Sequence, residues 1–452
     1  MKNKIFFKEL MILAVPIMIQ FTITSCLNLM DSLMIGSLGD EAVAALGIAN
    51  QYYFMFNLIL MGIYSGGGVL ISQYYGTHDM PQIKKVLGVC LSIGVCFSAI
   101  SALIGHHFST QIISIFDSNP TVVNLGSKYL IAVVVSYVFM SITFAFGISS
   151  RSIGKAYVPM GTSAVALVIN IVLNYGLIFG HWGLPKLGVL GAAYATVFAR
   201  FVEMVLMVSY IYISNNPLKS KAIELFGYSK TFFKTTMQTV MPVVINELCW
   251  GVGFVIYSYF YGHLGTKALA SVQISNTIYS LFMILLFAVS NASCVMVGKK
   301  VGEGNDIIAK RYGDLFIKLT VVLGVIMGIL LFLLSPFILD IYKVSLEVLE
   351  STKWMLYINA LLLPIRFMGV ILIVGIFRGG GSSHIALKIE LFTMWCIGVP
   401  ICFLGAMILK LEVYQVFALV SLEEISKCFI SLWIYKKNTW IKNLTDEKSL
   451  AS

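Results

Sequence analysis

About twelve apolar stretches, each long enough to cross a bilayer as a helix, recur along the 452-residue chain. A helix needs roughly 20 apolar residues to span the hydrocarbon core. The stretches lie near 10–35, 43–72, 86–106, 128–148, 159–180, 190–213, 236–261, 272–297, 315–338, 354–377, 389–409 and 413–435. Only 12% of residues are charged and 58% are hydrophobic, with a mean hydropathy of +0.89. A soluble domain carries about 25% charged residues, so most of this surface faces lipid. The expected class is an all-α integral membrane protein. The start, MKNKIFFKEL, is basic and then apolar like a signal peptide, but the apolar run is too long and lacks a small-residue cleavage site, so it reads as a retained first span.

Basic residues set the orientation. With the N-terminus inside, inner loops carry 21 of the 31 Lys and Arg, against six in outer loops. That asymmetry puts both termini in the cytoplasm. It also accounts for the net charge of +10 without nucleic acid as a partner.

The chain repeats itself. At an offset of 226, Pro16 meets Pro242, Gln20 meets Asn246, Leu38-Gly39 meets Leu264-Gly265, and Gly76 meets Gly302. At 227, Arg151-x-x-Gly154 meets Arg378-x-x-Gly381, and Arg200 meets Lys427. Each half holds about six spans, so both enter the bilayer from the same side, as in parallel-repeat transporters. The expected division is an N-terminal lobe over 1–213, a cytoplasmic linker over 214–235, a C-terminal lobe over 236–435 and a cytoplasmic tail over 436–452. The two lobes are two pseudo-symmetric six-helix bundles.

Polar residues inside spans are expensive and are functional candidates by default. Gln20, Thr24, Asn28 and Asp31 share one face of the first span, a stripe ending in a carboxylate that suits ion or proton coupling. Asn170 and Asn174 lie one turn apart in the fifth span, and their amide oxygens are hard ligands that suit Na⁺ beside Asp31; the bland reading is an interhelical amide bond. In the seventh span Glu247 adjoins Asn246, with Trp250 and Tyr257 on neighbouring turns. Aromatic faces beside a carboxylate suit an organic cation, although an aromatic stripe is more often lipid-facing or core. Arg366 lies mid-span and needs a partner, with Glu247 or the Glu423/Glu424 pair as the candidates. Arg200 with Glu203, and Glu423 with Lys427, read as structural pairs.

The eight cysteines all lie in apolar stretches with no CxxC spacing, so disulfides and zinc are not expected. There is no HExxH, no P-loop and no nucleophile elbow. An enzyme is therefore not expected, nor is an organic cofactor. A repeated selectivity-filter loop, which a channel would need, is not evident.

Over nearly its whole length the chain resembles the multidrug and toxic compound extrusion (MATE) family. The resemblance rests on P-x3-Q-x10-D-x4-G-x-LG from Pro16 to Gly39, SRSIGKAYVP at 150–159, N-x3-NYGLIFG at 170–180, LGVLGAAYAT at 187–196 and YGHLGTKALA at 261–270. It implies an antiporter that exports organic, often cationic, compounds in exchange for Na⁺ or H⁺ by alternating access. The expected working unit is a monomer, and the absence of glycosylated lumenal domains and cleavable targeting signals suggests a bacterial plasma membrane. The resemblance implies coupling residues at Asp31, Asn170, Asn174 and Thr196, with Glu247 a displaced match; on the reading of the residues themselves, Gln20, Asn28, Asn246, Glu247, Trp250, Tyr257 and Arg366 are the candidates toward substrate. The chain departs from the family in three places. Some members have an aspartate at Asn174, a seventh-span glutamate often falls where this chain has Trp250, and a tenth-span acidic residue is replaced nearby by Arg366. The rival from related folds is a flippase for lipid-linked saccharides, which would line its cavity with several cations.

Overall fold

The structure, a computed structural model, describes residues 2–446. Met1 and residues 447–452, the end of the expected tail with Lys448, lie outside the described residues. The described chain is helical, in the order α1 (Lys2–Gly36), α2 (Asp40–Gly76), α3 (Met80–His107), α4 (Ser109–Ser114), α5 (Pro120–Val133), α6 (Ser136–Ser152), α7 (Tyr157–Phe179) and α8 (Val189–Ile213). Then follow α9 (Ala222–Phe226), α10 (Lys230–His263), α11 (Thr266–Gly302), α12 (Asp306–Leu339), α13 (Leu346–Val370), α14 (Ser383–Leu391), α15 (Val399–Phe403) and α16 (Val413–Lys436). Wider π-helical turns occupy Ile371–Phe377, Phe392–Gly398 and Leu404–Ile408.

Helix boundaries follow local chemistry. Asp79 caps α3 by accepting from the Gln82 amide at 3.2 Å, and Asn119 caps α5 through the Thr121 amide at 2.9 Å. Asp40 and Glu41 sit in the first turn of α2, where a negative charge answers the exposed amides. Gly180, at φ 81°, closes α7 in the left-handed conformation that glycine adopts without strain.

Ten helical segments are long and apolar enough to cross a membrane. The pair α5 and α6, bent by 47°, makes an eleventh where the sequence reads one span. α16 is the twelfth long helix. It carries Glu423, Glu424 and Lys427 in its middle, and those charges pair with one another. The twelve-helix membrane class expected from the sequence is the observed one.

The fold divides into two compact units. The N-terminal unit is Val15–Val244. Within it, α2 and the start of α10 meet backbone to backbone, since a Cβ on Gly62 would lie 2.6 Å from the Val244 Cα. The C-terminal unit runs from Ile245 onward and includes the chain up to Ala14. Its core joins Ile278, Leu286, Leu356, Leu363 and Phe367. The Phe6 ring of α1 packs edge-on to Tyr312 and Phe316, at 5.1 and 4.8 Å. Thus α1 changes unit beside Pro16, and α10 changes unit beside Pro242.

The repeat is visible in the elements. Pro120 opens α5 and Leu346 opens α13, still 226 apart, whereas Arg151 and Arg378 further along are 227 apart. The extra residue lies inside the span led by α13. The π turn Ile371–Phe377, a form that absorbs one residue without ending the helix, lies in that stretch.

Candidate functional site

In the N-terminal unit, α1 and α7 bring three of the expected residues together. Asn174 Nδ2 donates to Asp31 Oδ1 at 2.5 Å and to Asn170 Oδ1 at 2.9 Å. Asn170 Nδ2 reaches Thr196 Oγ1 on α8 at 3.4 Å. Both asparagines are buried, and Asn174 Oδ1 has no hydrogen-bond partner although it is shut off from solvent. A buried polar atom normally finds one. The carboxylate, two amide oxygens and a hydroxyl form an all-oxygen donor set of the kind hard cations take. The arrangement therefore fits either Na⁺ or a proton on Asp31.

The rest of the α1 stripe separates. Gln20 donates to Ser163 Oγ at 2.9 Å and accepts from Arg151 Nη2 at 2.5 Å. Ser163 in turn donates to Glu203 at 2.6 Å, and Arg200 pairs with Glu203 at 2.8 Å. Gln20 is thus taken up in a closed network rather than free for substrate. Asn28 is exposed, with no side-chain hydrogen bond shown.

In the C-terminal unit, Arg378 binds Glu247 at 2.7 Å through Nη1 and Asn246 through Nη2. Tyr257 donates its hydroxyl to Glu423 at 2.7 Å. Lys427 Nζ lies 2.8 Å from Glu423, 3.0 Å from Glu390 and 3.5 Å from Glu424. Trp250 is 40% exposed and stacks on Phe254 with ring centres 6.1 Å apart. Arg366 lies over the rings of Tyr279 and Phe417, at 5.0 and 5.8 Å.

Two expectations change. Glu247 is paired with Arg378, not Arg366, and Glu423 and Glu424 turn to Lys427. Arg366 has no ion pair among the described residues and is held by aromatic faces. The reason is reach. Arg378 falls just past the tenth apolar run and counts as a cytoplasmic-loop residue by hydropathy, but it is 3% exposed beside Asn246. The signal was available, because Arg151 contacts Gln20 as Arg378 contacts Asn246, and both positions match in the repeat. Glu390, now 5% exposed, was also missed. The expected pairs Arg200–Glu203 and Glu423–Lys427 are present.

An apolar cavity of about 940 Å³ between α3, α6, α8 and α9 contains none of these residues. Its lining is mostly apolar, with Ser92, Ser209 and Tyr212 as its hydroxyls and no charged side chain. No group of three or more His, Cys, Asp or Glu among the described residues is placed to hold a metal ion.

Comparisons with known proteins agree with this architecture. The MatE family model matches residues 16–176 and again 242–404, once in each half. The probable multidrug resistance protein YoeA of Bacillus subtilis (strain 168) is 26% identical over 412 residues, covering 90% of this chain and 89% of its own. The probable multidrug resistance protein NorM of Thermotoga maritima is 24% identical, covering 98% and 95%. A structure of a mutant Vibrio cholerae MATE transporter, VcmN, has the same fold, with a TM-score of 0.88 at 18% identity over 98% of each chain. With its model matched over most of both halves, this multi-pass chain belongs to the MatE, or multidrug and toxic compound extrusion, family of membrane transporters.

Proposed function

We propose that this transporter is an antiporter that exports organic, often cationic, compounds in exchange for Na⁺ or H⁺, as a monomer in a bacterial plasma membrane with both termini cytoplasmic. The observation that carries the reading is the Asp31–Asn174–Asn170–Thr196 cluster with its unpartnered Asn174 oxygen. The orientation rests on the excess of basic residues in the inner loops. The multidrug resistance names of the relatives support an organic cargo.

Asp31 accepts the coupling ion and loses its net charge. Asn174 then no longer has a carboxylate to answer, so α1 and α7 repack and substrate affinity falls. The linkage is reciprocal, because substrate must weaken ion binding by the same factor. On the substrate side, Glu247 is already answered by Arg378, so recognition of an organic cation falls to exposed aromatic faces such as Trp250. The flippase reading loses ground, since Arg151, Arg200, Arg378 and Lys427 are all engaged by chain residues, and Arg366 is without an ion pair among the described residues. Efflux from proteoliposomes under an imposed Na⁺ or pH gradient tests the proposal; no response to either gradient would end it.

A further inference from the structure

The two units answer the same backbone with different charge counts. In the N-terminal unit, Ser163 on α7 bonds to Glu203, which pairs with Arg200 on α8, and Asp31 is a second carboxylate within electrostatic reach of Arg200. At the repeat offset of 227, Arg200 becomes Lys427 and Ser163 becomes Glu390. The C-terminal unit thus places a carboxylate where its sister has a hydroxyl, and Glu423 and Glu424 face the same ammonium.

The charge count does not close. Around Lys427 stand three carboxylates, and a second cation, Arg366, has Glu423 and Glu424 among its electrostatic neighbours. Three anions against two cations leave one negative charge uncompensated; Glu390, Glu423 and Lys427 are 5%, 3% and 4% exposed, while the Glu424 side chain, at 23%, keeps some contact with its surroundings. An unanswered charge in a buried, low-dielectric setting is strongly disfavoured. The carboxylates are not equally supported. Glu423 has Lys427 and the Tyr257 hydroxyl, Glu424 has Lys427 and Arg366, and Glu390 has Lys427 alone. Cys249 is the other titratable group beside Glu390, and a neutral thiol supplies no charge. Glu423 Oε1 touches the same Lys427 nitrogen as Glu390, at 2.8 against 3.0 Å, so one ammonium is shared between two buried carboxylates.

We propose that the C-terminal unit contains a proton-binding site of its own at Glu390, distinct from Asp31. One proton on a Glu390 oxygen makes the cluster neutral and supplies a donor beside Glu423. A metal ion fits poorly, because the Lys427 ammonium already occupies the centre and would repel it. The proton belongs to the coupled cluster, with Glu390 as its resting place. The inference stands whether or not the proposed antiport is correct, since it concerns protonation and not cargo.

Infrared spectroscopy of the full-length protein in lipid nanodiscs, with isotope-labelled glutamate, reads it directly. At neutral pH the wild type should show a protonated glutamate carbonyl band equivalent to about one group per chain. Glu390→Gln and Glu390→Ser, the latter restoring the sister unit's hydroxyl, should lose that band, and Asp31→Asn should keep it. A wild type with no protonated glutamate band overturns the proposal without any variant, and so does a band of full intensity in either folded Glu390 variant.

Discussion

The amide of Asn174 donates to Asp31 at 2.5 Å and to Asn170 at 2.9 Å, so a single side chain ties the first-span carboxylate to α7 while its own oxygen stays unpartnered. Asn174→Ala removes a ligand oxygen and leaves Asp31 intact. The half-saturating concentration of the coupling ion for efflux should rise about tenfold, equivalent to ~1.4 kcal/mol. An unchanged ion dependence in a folded Asn174→Ala protein would remove Asn174 from the ion site.

Arg378 and Glu247 form a pair in which the guanidinium is almost wholly buried and the carboxylate partly so. Removing the cation alone strands Glu247, a loss of about 3–5 kcal/mol for a well-buried pair and less here because Glu247 is 23% exposed. Arg378→Met should therefore lower the melting temperature markedly, and Arg378→Met with Glu247→Leu should recover most of the loss. Strictly additive effects in this double-mutant cycle would mean the two do not couple.

Glu224 lies outside the spans, on the short α9. Its carboxyl is held below the usual glutamate range first by the Lys221 backbone amide, at 2.7 Å, and then by the Lys84 ammonium, at 2.9 Å. A lowered folded-state value means the contribution is present above the ordinary glutamate value of about 4.3 and is lost as pH falls through the folded value. Hydrogen exchange across α9 should thus be faster in Glu224→Ala than in wild type at neutral pH, with the difference vanishing in acid. A difference that persists unchanged in acid would rule out the charged contacts as its source.

Much of the fold was legible because lipid imposes a strict length on apolar runs, and the repeat of Pro16 and Pro242 carried the twofold plan. Helical spacing puts Asn170 and Asn174 on one face of the fifth span; that Asp31 stands beside them was suggested by ligand chemistry and the family resemblance, and the contact itself is seen in the structure. The partner of Glu247 was not legible, because hydropathy treats an arginine beyond an apolar run as a loop residue, whereas Arg378 is buried against Glu247 and Asn246. The bend between α5 and α6 was also hidden, since the residues on either side are uniformly apolar. Glu390 escaped notice because it sits at the edge of an apolar run beside Lys388, where a sequence reading expects a solvated charge.

The central claim is that Asp31 couples an ion gradient to export. Asp31→Asn keeps the shape and removes the charge, so the comparison is of efflux from proteoliposomes holding wild type or Asp31→Asn under the same imposed Na⁺ or pH gradient. Gradient-driven efflux is expected in the wild type and only passive leak in the variant, with substrate still bound. Gradient-driven efflux at the wild-type rate in Asp31→Asn would contradict it.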